Sequence, residues 1–274
     1  MKASTLAGIF GLLAAFVVAY YPVWKGLVAA WNTTEEYSHG FFVVPLCLYL
    51  VWYKRQAIQS VALKPARSGL AIALLALSIH VFASQAKITT LASLSLVLFL
   101  AGLILYLYGF PMFRNLLFPL SFLLFMIPIP AQIYSSLTLP LQLVVTKVTV
   151  WIGTFIGTPI YNDGNVIYLP RITLQVVEAC SGMRTMISLL MLSALFGYLT
   201  LKSNTLRAVL FLVGIPLAVL VNILRVLLIA MAMQYFNVNL TVGALHTAVG
   251  LILFGVAIST LYLTRCGLAF LEPH

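Results

Sequence analysis

The sequence predicts an all-α polytopic membrane protein, with about eight transmembrane helices and a short outer segment resembling a β-hairpin. Two observations carry that prediction. Residues of the chain are 63% hydrophobic and only 7% charged, with a mean hydropathy of +1.11, whereas soluble domains carry roughly 25% charged residues. Apolar runs of about 20 residues, long enough to cross a ~30 Å hydrocarbon core, also recur from end to end.

Breaking the chain at charges, prolines and polar clusters gives spans near 4–23, 40–53, 69–86, 89–109, 115–134, 181–200, 206–232 and 244–263. The first has a basic start like a signal peptide. Its apolar run is too long and no small-residue cleavage site follows, so it reads as an uncleaved span. Residues 135–157 are apolar but interrupted by Pro140 and Lys147. They read as interfacial or re-entrant, with a ninth span as the alternative. No soluble domain, internal repeat or low-complexity tract is visible, so residues 1–274 are expected to form one integral membrane domain.

Charge sets the orientation. With the N-terminus inside, the inner side receives Lys2, Lys54, Arg55, Lys64, Arg67, Arg114, Lys202, Arg207 and Arg265, and the outer side Lys25, Lys87, Lys147 and Arg171. Nine against four favours this arrangement, and a ninth span at 135–157 would move Lys202, Arg207 and Arg265 outside. The net charge of +10 is spread singly along span ends, not gathered in a basic stripe, so nucleic acid is not an expected partner. The larger outer segments are then 24–39 and 158–179. In the second, alternating residues around "NDGN" suggest a short β-hairpin on the outer face.

Ionisable groups inside spans are costly and mark functional sites. Arg225 lies 18 residues beyond Arg207, a rise of roughly 27 Å, which puts it in the outer part of its helix. Asn222, three residues earlier, shares its face. The bland alternative is an arginine snorkelling to the headgroups. His246 opens the last span from the outside, where packing is the competing reading. Cys180, at the outer start of span six with Arg184 four residues on, is either a small buried hydrophobe or a thiol activated by a helix start and a guanidinium. Cys47 and Cys266 read as packing residues.

Charge counting alone therefore places Cys180, Arg225 and His246 at one depth near the outer leaflet. A thiol, an imidazole and a guanidinium are the parts of acyl transfer. His246 would take the thiol proton and return it to the leaving amine, and Arg225 would stabilise the oxyanion or thiolate. Equal depth does not by itself mean proximity.

"EACSGMRT" at 178–185, "NILRV" at 222–226 and "HTAVG" at 246–250 resemble the three motifs of the exosortase/archaeosortase family. "YSHG" at 37–40 resembles its N-terminal signature, and the chain is similar to the bacterial exosortase type through most of its length. The resemblance implies a cysteine transpeptidase of the bacterial inner membrane, with several spans and a site near the periplasmic face. Its implied partners are proteins ending in a Pro-Glu-Pro motif, a transmembrane helix and a basic cluster, besides membrane lipid and an unidentified acceptor nucleophile. Cys180 would be the nucleophile, Arg225 the essential arginine and His246 the general acid/base, with no cofactor and no metal.

Supporting or substrate-binding roles are expected for Arg184, Asn222, Glu178, Ser181 and His39. Arg184 or Arg171 would meet the substrate glutamate, Arg171 equally being a surface charge. Glu178 and His39 either orient the site or satisfy outer loops, and Tyr37 is a weaker candidate. Some bacterial members carry an extra C-terminal domain. The chain stops eleven residues beyond the last span, so that domain's function is expected from another protein or not at all.

Two other classes compete. One is a transporter or polysaccharide-export component with Arg225 and His246 along a polar path and Pro-Ile-Pro at 128–130 breaking a helix. The other is a membrane acyltransferase using His246 or His39. The absence of H-E-x-x-H and G-x-S-x-G removes the obvious zinc and serine alternatives.

Overall fold

A computed structural model describes residues 14–176, 182–238, 240–241 and 243–272. The start of the first expected span and the residues Glu178, Cys180 and Ser181 lie outside this set. Among the described residues, six helices are long and apolar enough to cross a membrane, alongside a shorter apolar helix at Phe110–Met126. The chain is thus a helical, polytopic membrane protein, and it divides into two compact units, Met1–Pro130 and Ala131–His274.

In the first unit, helical backbone at 14–19 turns at Tyr20 into helix α1 (Tyr21–Thr33), with Pro22 in its first turn. Proline fits there because the first N–H groups lack helical partners anyway. The expected outer segment 24–39 is therefore mostly helix. A 3-10 turn at Glu35–Tyr37 leads to α2 (Gly40–Tyr53), followed by the short α3 (Arg55–Gln59), α4 (Ser68–Gln85), α5 (Thr89–Tyr108) and α6 (Phe110–Phe122).

Helices α4 and α5 touch backbone to backbone. A Cβ on Gly69 would lie 2.2 Å from the Tyr106 nitrogen, and one on Gly102 would lie 2.6 Å from the Ala73 nitrogen. Small residues at such crossings let apolar helices gain close packing where lipid offers no hydrophobic drive. Cys47 is buried on α2 with its thiol donating to the Pro119 carbonyl at 3.3 Å, in keeping with a packing role.

The expected span 115–134 is not one helix. Helix α6 tightens into a 3-10 turn at Leu123–Met126 and ends at Ile127, which is extended at φ −88°, ψ 123°. Proline disfavours helical backbone in the residue before it, so Pro-Ile-Pro at 128–130 stops the helix. The freed carbonyls find side-chain donors. Trp31 Nε1 donates to Met126 at 2.9 Å, His39 Nε2 to Phe125 at 2.9 Å, and the Thr90 hydroxyl to Pro128 at 2.8 Å. The Ile129 N–H donates to the Tyr37 hydroxyl at 3.1 Å.

The second unit opens on α7 (Ala131–Phe155), one 25-residue helix running through Pro140 and Lys147. Pro140 and Lys147 therefore do not interrupt the helix, contrary to the expected break within 135–157. Both residues are exposed, while Tyr134, Thr138, Gln142, Val145, Thr149 and Gly153 are buried at helical spacing. A packed face overrides the local helix-breaking preference of one outward proline.

A three-stranded antiparallel sheet follows in the order β1 (Tyr161–Asp163), β2 (Val166–Tyr168), β3 (Thr173–Gln175), one strand more than the expected hairpin. Asp163 pairs with Val166 across a two-residue turn whose Gly164 has φ +57°, a conformation that glycine adopts freely. Helices α8 (Met183–Thr200), α9 (Asn204–Phe236) and α10 (Gly243–Ala269) complete the unit.

Helices α8 and α9 form an antiparallel pair, with Gly182 against Asn222, Gly214 against Ser193 and Gly197 against Arg207. At one end of the α9–α10 pair, Glu272 accepts from the Lys202 and Ser203 N–H groups just before α9 begins. A carboxylate there satisfies otherwise orphan donors and complements the helix dipole.

Candidate active site

Helix α9 is the frame of the site. One turn of it carries Asn222 and Arg225, and the neighbouring Ile223, Val226 and Ala230 bury against the sheet. There they form one core with Ile167, Leu169 and Val176, and with Val145 of α7. The strand that leads toward position 180 is therefore seated on the helix that carries the arginine.

Helix α10 brings His246 to that arginine. Arg225 Nη2 lies 2.7 Å from His246 Nε2, and His246 Nδ1 lies 2.8 Å from the Leu240 carbonyl. A carbonyl only accepts, so Nδ1 carries the imidazole proton, and Nε2 presents its lone pair to the guanidinium. Arg225 is thus turned to a partner helix instead of snorkelling. Gly250, one turn beyond His246, makes room for it: a Cβ there would lie 3.3 Å from Nη2 and 3.6 Å from Cζ.

Helix α8 begins at Met183, with Gly182 as its cap at φ +84°. The expectation that Cys180 lies at the start of this helix, on one face with Arg184, falls outside the described residues. Gly182 rests on Asn222: an added Cβ would lie 2.8 Å from that side chain's Cβ and Cγ. The described residue that follows the Cys-Ser pair is thereby held one helical turn from Arg225. Arg184 sits half-buried at the second position of α8.

Two polar residues that the sequence reading did not single out fix the strand entering the site. Asn165 Nδ2 donates to Gln142 Oε1 at 3.1 Å and to the Val176 carbonyl at 3.0 Å, and Val176 N–H donates to the Asn165 carbonyl at 2.9 Å. Gln142 is buried, and a buried amide amid apolar neighbours in the sequence was the available signal. Thr158 in turn bonds Tyr235 at 2.9 Å, tying the start of the segment that carries the sheet to the end of α9.

His39 belongs to the first unit, where it donates to Phe125. Burial lowers its pKa below the ordinary histidine value, with the carbonyl contact opposing. Arg171 is exposed in the turn between β2 and β3.

No curated protein and no solved structure matches the chain. The family model for transmembrane exosortases matches residues 31–263. That interval runs from Trp31 through the Arg225–His246 pair and into α10, and the chain accordingly belongs to the transmembrane exosortase family.

Proposed function

We propose that the protein is a cysteine transpeptidase of the bacterial inner membrane that cleaves C-terminal sorting signals at its periplasmic face. The observation that carries the reading is the Arg225–His246 pair, at 2.7 Å, with the imidazole lone pair on Nε2. A base needs that lone pair free toward its proton donor, and Nδ1–H bonded to a fixed carbonyl holds the useful tautomer.

In this reading His246 Nε2 accepts the Cys180 thiol proton as the sulfur attacks the scissile carbonyl. The amide C–N bond breaks, His246 returns the proton to the leaving amine, and a thioester remains on Cys180. Arg225 gives up its contact with Nε2 when substrate arrives and turns its N–H donors to the oxyanion. The acceptor nucleophile then attacks the thioester and restores the thiol.

Asn222 holds the Gly182 turn, and Arg184, Glu178 and Ser181 border the nucleophile. The substrates are proteins ending in Pro-Glu-Pro, a transmembrane helix and a basic cluster.

The test uses full-length protein in liposomes with a synthetic tail of that composition. Mass spectrometry should find the tail fragment as a thioester on Cys180, and Cys180→Ala should abolish cleavage while insertion is unchanged. Cleavage that persists in Cys180→Ala overturns the reading. Solute transport that needs Arg225 and ignores Cys180 would favour a conduit instead.

A further inference from the structure

Strand β3 has one partner and one open edge. Ile172 accepts from the Leu169 N–H, and Val176 donates to the Asn165 carbonyl, both at 2.9 Å and both toward β2. In an antiparallel ladder successive residues turn their N–H and C=O groups to opposite sides. Leu174, paired with Ile167, therefore also faces β2, and the backbones of Thr173 and Gln175 face away.

Among the described residues, no backbone hydrogen bond reaches that edge. The side chains of Thr173 and Gln175 are exposed, while Ile172, Leu174 and Val176 pack into the core. One face of the sheet packs on α7 and α9, which leaves the edge open. The edge is short, at three residues, and follows Pro170 and Arg171, but Thr173–Gln175 itself carries no charge, proline or bulge of the kind that blocks pairing. Gln175 is also five residues before Cys180, at most about 18 Å of extended chain.

We infer that the open edge of β3 binds the substrate peptide as an added strand, pairing with the backbone of Thr173 and Gln175. This rests on the transpeptidase reading above. The occupant is the extended segment adjoining the scissile bond. A peptide bond must leave any helix before a thiol reaches its carbonyl, and strand addition satisfies the amides thus exposed. Recognition through main-chain groups accepts varied side chains, as an enzyme serving many exported proteins requires. Two outward residues supply two N–H donors and two carbonyl acceptors, which engage alternate residues of the peptide.

The experiment uses full-length protein in liposomes and the synthetic tail peptide, N-methylated one backbone position at a time around its Pro-Glu-Pro segment. Methylation should raise KM about five- to tenfold at alternate non-proline positions, the effect of losing one hydrogen bond, with kcat little changed. Thr173→Pro and Gln175→Pro remove the outward N–H groups without touching the ladder to β2. Each should raise KM by a similar factor on the unmethylated tail, since a peptide carbonyl then loses its donor.

If either variant fails to fold, the N-methyl series on the wild-type protein decides alone. Cys180-dependent cleavage indifferent to methylation at every position overturns the edge and leaves the transpeptidase reading standing. Absence of any Cys180-dependent cleavage overturns both, since the occupant is then no substrate.

Discussion

Gly182 lies so close to Asn222 that a single added methyl would stand 2.8 Å from two carbons of that side chain. Its φ of +84° independently excludes an ordinary L-residue. Gly182→Ala should therefore lose about 1–2 kcal/mol to the left-handed backbone and about 1–3 kcal/mol to overlap. Thermal unfolding in detergent measures it. A melting temperature equal to wild type would show that this turn is not held against α9.

Gly250 poses the milder version of the same question. Its added Cβ would stand 3.3 Å from Arg225 Nη2, so Gly250→Ala is accommodated by a small shift of the guanidinium away from His246. We expect a stability change under about 1 kcal/mol and a tail-cleavage rate lowered about tenfold, the equivalent of ~1.4 kcal/mol in the barrier. Unchanged cleavage with unchanged stability would separate the Arg225–His246 contact from turnover.

His39 should make the fold acid-sensitive. Burial lowers its folded pKa below the ordinary 6.5, so the unfolded chain binds a proton first as pH falls. Its contribution is fully present above pH 6.5 and is lost progressively as the pH drops from there through the folded value. Melting temperature followed against pH should fall in that window for the wild type. In His39→Gln, which retains an N–H for the Phe125 carbonyl, the slope should flatten; an equal slope would assign the acid sensitivity elsewhere.

Gly69→Ala should be among the most damaging single changes in the first unit. The neighbour at 2.2 Å is the backbone nitrogen of Tyr106, which cannot rotate aside as a side chain can. Parting α4 from α5 costs the close packing along both helices, about 3 kcal/mol or more. Denaturant titration of the purified protein checks it, with Gly255→Ala, which meets nothing within 4 Å, as the contrasting variant.

The parts of the fold legible in sequence were those set by partition into lipid. The spans expected at 181–200, 206–232 and 244–263 correspond to α8, α9 and α10, because hydropathy and boundary charges depend on composition alone. The 18-residue offset between Arg207 and Arg225 placed Arg225 in the later part of α9, where it meets His246.

What stayed hidden depends on neighbours distant in the chain. Pro140 is harmless because it points outward from α7, whereas Pro128 and Pro130 stop α6, and nothing local distinguishes the two cases. The use of Gly182 and Gly250 likewise follows from Asn222 and Arg225 lying against them, 40 and 25 residues away in sequence.

Helix α9 has 33 residues, about 50 Å of rise, against a hydrocarbon core of ~30 Å. The eleven residues past Arg225 rise about 16 Å farther, and the sheet packs on α9 to either side of Arg225, at Val219, Ile223, Val226 and Ala230. The overshoot makes membrane thickness a control variable. A thin bilayer leaves the β3 edge and the Arg225–His246 pair bathed in water, where a polar nucleophile arrives freely, while a thick one draws lipid tails up around them. Turnover should accordingly decline as the acyl chains of the host liposome lengthen, although no atom of the protein has been altered.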